Sequence, residues 1–315
     1  MTSPGPPVES ARRPIRVACI IINWNGGDHI LDAFDSICRS SGVTPRLIVI
    51  DNGSTDGSLE NIRRSYAEAE SVALGANFGV AYAWNRGLDI AQKEQAEYAF
   101  LLNDDAYVSD VCMEQLLRSL EHHPGAIAAT PRIFDPARPG MLWYDGGTVT
   151  SLGETIHAGM GRTPRMGESL TERRCDFVTG CAVLIRLSGI QAVGAFDERF
   201  FAYCEDADWS FRARRKGYDL LHVPSAHAWH WQSVDTKKNK GKRYRDYYLA
   251  RNRLMLLKEY SRGMRRVLSM SWFALRHVLL PLLYYSLTGQ LSRAVATMRG
   301  VLDFLRGSDG RGSMQ

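Results

Sequence analysis

The first hundred residues carry the pattern that most limits what this chain can fold into: short apolar runs, each of which stops on an amide or a carboxylate. RVACIIIN ends at Asn23, RLIVID ends at Asp51, and YAFLL runs into Asn103, Asp104 and Asp105. A run that is apolar throughout, rather than alternating, reads as a strand buried on both faces, the habit of a parallel sheet with helices on either side. This predicts strands at Arg16 to Asn23, Arg46 to Asp51, Ser71 to Gly75 and Tyr98 to Leu102. Helices are expected between them, starting at Asp28, starting near Asp56, and spanning Val80 to Gln92. In open α/β sheets, ligands bind beyond the carboxyl ends of the strands, which is where Asn23, Asp51, Asn52 and the 103–105 run collect.

Past Asp105 the pattern becomes mixed. A helix near Ser109 to His122 leads to a strand at Ala126 to Phe134, hairpin-like sequence around Tyr144 to Gly161, and an apolar run from Phe177 to Arg186. A helix at Glu205 to Lys216 and a strand at Tyr218 to Val223 follow, and beyond about residue 240 the chain reads as helical. Val267 to Leu287 is long enough, at ~1.5 Å per residue, to cross a bilayer. Arg276 and His277 fall at its centre, where a charge costs roughly 2.5 to 3.5 kcal/mol, and Pro281 interrupts it. An amphipathic helix lying on a membrane or on a partner chain fits better than a span; internal packing is the alternative.

Composition narrows the class. With 45% hydrophobic and 23% charged residues the body is that of an ordinary globular protein. MTSPGPPVESARRP (1–14) lacks the apolar core of a secretion signal and reads as a disordered leader, as does the tail 307–315. The six cysteines form no C-x-x-C pair, which argues against structural zinc and reads as reduced thiols in the cytoplasm. The net charge of +5 is concentrated in the basic run from Lys237 to Arg266, which points to an anionic membrane surface or a diphosphate. No helix-turn-helix, RNP or zinc-finger pattern supports nucleic acid.

The first strand opens into NWNGGD, so both the G-x-G-x-x-G dinucleotide fingerprint and the P-loop are missing. Carboxylates and amides stand there instead, a set suited to holding a nucleoside by hydrogen bonds and a diphosphate through a metal. IIINWNGGDHI, LIVIDNGSTDGS, GANFGVAYAWNRGL, FLLNDDA and FDERFFAYCEDADWSFRARRKGY, in this order, resemble the motifs of family 2 glycosyltransferases, particularly the rhamnosyltransferase-like branch, over roughly residues 16–260.

The resemblance implies a GT-A fold: an α/β, Rossmann-like nucleotide-binding mixed sheet flanked by helices. The catalytic domain would span 15–235, with a nucleotide-binding half at 15–106 and an acceptor-binding half at 107–235, followed by a basic and amphipathic helical extension at 236–306. It implies an inverting transfer of rhamnose or another hexose from a UDP- or dTDP-sugar to a hydroxyl of a glycan or polyprenyl-linked acceptor. The basic segment and the apolar helix after it suggest a setting at the inner face of the cell membrane, which the protein would touch peripherally. No oligomeric state follows, and a dimer is compatible.

Residue by residue, the resemblance has Asp51 accepting from N3 of a uracil or thymine beside Asn52, with Asn23, Asn25, Asn77, Gly79 and Asn85 also lining the nucleoside. The plainer alternative is that Asp51 and Ser54 shape a turn and that Asn85 is a helix-surface residue. Asn103 stands where the family has the first acid of its Asp-x-Asp metal motif, leaving Asp105 as the ligand of Mg2+ or Mn2+ and Asp104 as a helper at ribose or metal. Asp206, of the Glu205–Asp206 pair, is the implied base, and His230 rather than His227 the implied metal or diphosphate contact. Gly180, Cys181, Asp197 and Trp209, with Trp143 and Tyr144, are candidates for an acceptor pocket or for core. Arg251 and Asn252 are candidates for facing donor phosphates or acceptor. A sugar nucleotidyltransferase is one rival, but it should carry a basic Gly-rich loop after the first strand. A catalytically inactive nucleotide-binding module is the other, and it should have lost one of the acids at 51, 105 and 206.

Overall fold

The computed structural model describes residues 15–231 and 239–313. The expected leader and the boundary at 235/236 lie outside them. The elements begin β1 (Ile15–Asn23), α1 (His29–Cys38), β2 (Val43–Asp51), α2 (Ser58–Ser65), β3 (Glu70–Ala73), α3 (Val80–Lys93), β4 (Tyr98–Asn103) and β5 (Ala106–Val108). They continue with α4 (Cys112–His122), β6 (Ala126–Phe134), β7 (Leu142–Tyr144), β8 (Gly147–Val149), β9 (Thr155–His157), β10 (Arg173–Arg174) and β11 (Ala182–Arg186). Then come α5 (Leu187–Val193), α6 (Glu205–Arg215) and β12 (Asp219–His230).

One sheet runs β10-β12-β6-β11-β4-β1-β2-β3. β3, β2, β1 and β4 are parallel, and β11 enters antiparallel between β4 and β6. The period of two is visible in burial: Val17, Cys19 and Ile21 of β1 face one core, Ala18, Ile20 and Ile22 the other. Because helices cover both faces, neither set is polar, which is why the strands read as unbroken apolar runs. α1 turns Ile30, Ala33, Phe34 and Ile37 into the first core, a helical spacing. α3 approaches the second so closely that a Cβ at Gly87 would lie 2.3 Å from Ile20 Cγ2.

β12 departs from expectation by continuing past Val223 to His230. Its pairing with β6 shifts register between Val223 and His227, where Pro224, lacking an N–H, breaks the ladder without ending the strand. β5 and α5 were not anticipated; both are too short to carry a periodic signal.

The C-terminal part is helical, as expected: α7 (Asn239–Tyr260), α8 (Gly263–Phe273), a π-helical segment (Ala274–Leu279), α9 (Leu280–Leu287) and α10 (Leu291–Arg306). Gly263–Leu287 forms one 25-residue stretch, apolar and long enough to cross a membrane by length and composition. The π segment absorbs Pro281, whose missing N–H would otherwise have bonded the carbonyl of His277. His277 is instead tied by its side chain to Glu154 and to Arg253 at 3.3 Å, anchoring this stretch to the β8–β9 hairpin. Residues 307–313, expected as part of a disordered tail, fold back: Gly310 N–H donates to Arg199 O at 2.9 Å and Ser313 Oγ to Asp303 at 2.6 Å.

Candidate active site

The loops after β1 and β2 are fastened to each other. Asn23 donates to Asp51 Oδ1 at 2.9 Å and to Ser58 Oγ at 2.8 Å. Asn25, in the left-handed region at φ 56°, accepts from Thr55 N–H at 2.8 Å, while its own N–H goes to Ser54 Oγ at 3.0 Å. The buried Asp51 takes the N–H groups of Gly53 and Ser54 on Oδ2, both at 3.2 Å. Asp51 therefore shapes its own turn, and with three bonds on two carboxylate oxygens it keeps acceptor capacity.

Asn52 does not reach outward. Its amide donates to Asn77 Oδ1 at 3.1 Å and Gly79 O at 3.3 Å and accepts from Phe78 N–H at 2.8 Å, so it fixes the loop before α3. Gly79 has φ 94°, and a Cβ there would lie 2.4 Å from Phe201 O; only glycine lets this loop meet the 199–204 segment. Asn85 is likewise committed, to Phe196 O at 3.0 Å, Glu198 Oε1 at 2.9 Å and Phe196 N–H at 2.9 Å. The structure thus gives Asn85 a structural role in place of the expected nucleoside contact.

At the end of β4, Asp104 Oδ2 accepts the N–H of Trp24 at 3.0 Å. Burial, and then the charge of Asp105, pushes the Asp104 carboxyl up to about 7. Asp105 Oδ1 meets His230 Nε2 at 3.0 Å. Burial pushes His230 down, but the Asp105 charge outweighs it and holds the imidazole well above its ordinary value. His227 points elsewhere, its ring edge-on to Phe134 at 5.4 Å.

Cys181 lies beside His230, its thiol pushed up by burial. The preceding residue supplies the link to α6, because Gly180 N–H donates to Asp206 Oδ2 at 3.0 Å. Asp206 Oδ1 accepts from Ala207 N–H at 2.7 Å, and burial raises its carboxyl above the ordinary value. Glu205 is buried and raised further, by desolvation and then by Asp206; its Oε2 has no hydrogen-bond partner. Asp208 is spent on Arg212 at 2.9 Å and the Tyr260 hydroxyl at 2.6 Å. A chain of contacts thus leads from Asp51 through Asn23 and the 24–26 loop to Asp104 and Asp105, then through His230 and Cys181 to Asp206.

Several acceptor candidates fall outside this chain of contacts. Trp209 is fully buried, donating to Gly194 O at 3.0 Å against Phe196, and Tyr144 is core, its hydroxyl on Phe177 O at 2.8 Å. Asp197 is chelated by Arg199, at 2.9 and 2.6 Å. Arg251 and Asn252 are both fully buried and bonded to the backbone of the 199–203 segment. Trp143 remains, edge-on to His230 at 4.5 Å. Trp24 went unassigned although it sits inside the first motif; its ring is 41% exposed and 6.1 Å from that of Tyr244.

The sequence profile described as glycosyl transferase family 2 matches residues 18–186. The chain belongs to glycosyltransferase family 2. Among curated relatives of this glycosyltransferase, rhamnosyltransferase WbbL of Escherichia coli is 32% identical over 263 residues, covering 78% of this chain and 97% of its own. N-acetylglucosaminyl-diphospho-decaprenol L-rhamnosyltransferase of Mycobacterium tuberculosis is 27% identical over 237 residues, 70% of this chain and 77% of its own. The dTDP-rhamnosyl transferase RfbF of Shigella flexneri is 22% identical over 219 residues, 68% and 71%. A solved structure of GalNAc-T7 with UDP, GalNAc and Mn2+ superposes with a TM-score of 0.56 at 16% identity, covering 84% of this chain and 57% of that one. That likeness is one of fold, and the fold is GT-A. The family profile ends at Arg186, so Asp206 and His230 both lie beyond it.

Proposed function

We propose that this glycosyltransferase moves rhamnose or another hexose from a UDP- or dTDP-sugar to a hydroxyl of a glycan or polyprenyl-linked acceptor, with inversion at the anomeric carbon. The observation that carries the reading is the Gly180–Asp206 bond of 3.0 Å, which holds one carboxylate against the residue preceding Cys181, the neighbour of His230. Asp51, with its spare acceptor capacity, takes the imide N–H of the pyrimidine, and the 23–25 and 77–79 loops wall the nucleoside. Asp206 takes the proton of the acceptor hydroxyl as it attacks from the face opposite the leaving diphosphate. Trp143 and Trp24 offer rings to sugar faces.

The residues fit a divalent cation, Mg2+ or Mn2+. Two adjacent acids, one of them pushed up to about 7 by burial and by its neighbour's charge, describe a place short of positive charge. No three His, Cys, Asp or Glu side chains among the described residues form a ready metal cage. Asp105 and His230 would be the protein ligands, leaving the remaining positions to phosphate oxygens and water. When bound, the cation would neutralise charge gathering on the leaving diphosphate.

The helices after Gly263 support a peripheral site on the inner membrane face. Val267, Leu268, Leu275, Leu279 and Leu283 are exposed, beside arginines at 262, 265 and 266, an arrangement suited to anionic lipid. A panel of UDP- and dTDP-sugars tested by thermal shift with Mn2+ and with EDTA, followed by product anomer analysis by NMR, tests the reading. A metal-dependent shift with one donor and an inverted product is expected; a retained configuration would overturn it.

A further inference from the structure

Tyr203 and Cys204, the two residues before α6, sit at φ 66° and 73°. Side chains bearing a Cβ rarely adopt this left-handed conformation, and consecutive instances persist only where the surroundings impose them. The surroundings here come from α7. The side-chain amide of Asn252 donates to Ala202 O and to Tyr203 O, both at 2.8 Å. Its Oδ1 accepts from Arg251 Nε at 2.9 Å, which settles which way round the amide sits, since a flip would set oxygen against two carbonyls.

Arg251 is itself fully buried. It reaches Arg199 O at 3.3 Å and lies over the rings of Tyr247 and Tyr248, 5.6 and 5.0 Å from their centres. Two adjacent side chains of the helical extension therefore grip the backbone at residues 199, 202 and 203, immediately ahead of Glu205 and Asp206.

We propose that Asn252, oriented by Arg251, is a positioning residue that presents Asp206 to the acceptor through the Tyr203–Cys204 turn. The proposal rests on the reading of Asp206 as the base. The base would be held from two sides, by the Gly180 N–H and by the imposed turn, and misplacement by about 1 Å is enough to cost roughly 10²-fold in rate.

The test is a double-mutant cycle on the full chain with Asn252→Asp, which keeps the shape and removes both N–H donors. Turnover, affinity for UDP or dTDP with Mn2+ by calorimetry, and thermal midpoint are measured for wild type, N252D, D206N and the pair. We expect N252D to lower kcat about 10²-fold with nucleotide Kd unchanged. Asp206→Asn, costing ~10² to 10⁴-fold in wild type, should cost about 10²-fold less than that in the N252D background. Wild-type turnover in N252D, an undiminished cost of D206N in that background, or a nucleotide Kd that weakens in step with kcat would each overturn the proposal. If N252D does not fold, Arg251→Lys carries the same measurements, with about a tenfold loss of kcat at unchanged Kd expected and an unaltered kcat counting against. A harmless D206N in wild type would sink the base assignment itself, whereas an inactive D206N beside a fully active N252D sinks only the positioning role.

Discussion

The N–H of Gly180 meets Oδ2 of Asp206 at 3.0 Å, and the carbonyl of the next residue, Cys181, receives the N–H of Asn103 at 3.0 Å. These two bonds link the carboxylate of α6, through the 180–181 backbone, to the tip of β4. A Cβ at 180 would stand 3.9 Å from the Asp206 side chain, an ordinary van der Waals contact, so the bond itself does not demand glycine there.

Burial raises the Asp206 carboxyl above its ordinary value. A base works only when ionised, so activity should be lost as pH falls through this raised pKa, at higher pH than for a free aspartate. Glu205 titrates beside it, and the acidic limb belongs to the pair. A pH profile of kcat/KM should show that limb in wild type, and Asp206→Asn should flatten it while lowering kcat by ~10² to 10⁴-fold. An unshifted limb in D206N would assign the titration to another group.

Asp145 is almost fully enclosed, bonded to Arg132 at 2.7 Å and His222 at 2.9 Å and meeting Arg162 at 2.8 Å. Burial alone would raise its pKa, but the bonds and charges of His222 and Arg132 outweigh it and hold the carboxyl well below the usual range. A depressed folded pKa means stability that is present above the unfolded value of about 3.9 and is lost as pH falls below it. Asp145→Asn leaves Arg132 short of a buried partner and should cost about 3 kcal/mol at pH 7. Urea denaturation at pH 7 and pH 3 should show the difference between variant and wild type shrinking at the lower pH.

The apolar helices past Gly263 yield a third expectation. Leu279 is 58% exposed and Leu283 likewise 58%, so replacing both by Asp should leave the thermal midpoint within a few degrees. The same pair should abolish cosedimentation with vesicles containing anionic lipid, and high salt should weaken wild-type binding. Unchanged cosedimentation of the double variant would remove this face from the membrane.

Much of the scaffold was legible because the strands are buried on both sides and advertise it. The acids at 51 and 105 stood out as candidates for a similar reason, since carboxylates at the ends of apolar runs are conspicuous, whereas Asp206 was singled out only by the family resemblance. What a sequence does not disclose is the partner of an amide. Asn85 and Asn52 look like ligand contacts until the carbonyls and N–H groups they serve are seen, and those lie as far as 111 residues away in the chain. Trp209 resembles a sugar platform until its indole proves to be sealed against Phe196. The continuation of β12 past Pro224 was hidden because a single proline mimics a strand end, and the turn at 203–204 was hidden because tyrosine and cysteine carry no sign of positive φ.

The insertion of β11 between β4 and β6 means that the segments before and after residue 106 share a seam instead of a hinge. A fragment stopping near residue 106 would leave the flank of β4, with Phe100, Leu101 and Leu102, unpaired and open to association with other chains. Completing the central sheet requires a strand some eighty residues downstream, a non-local pairing of the kind that forms slowly.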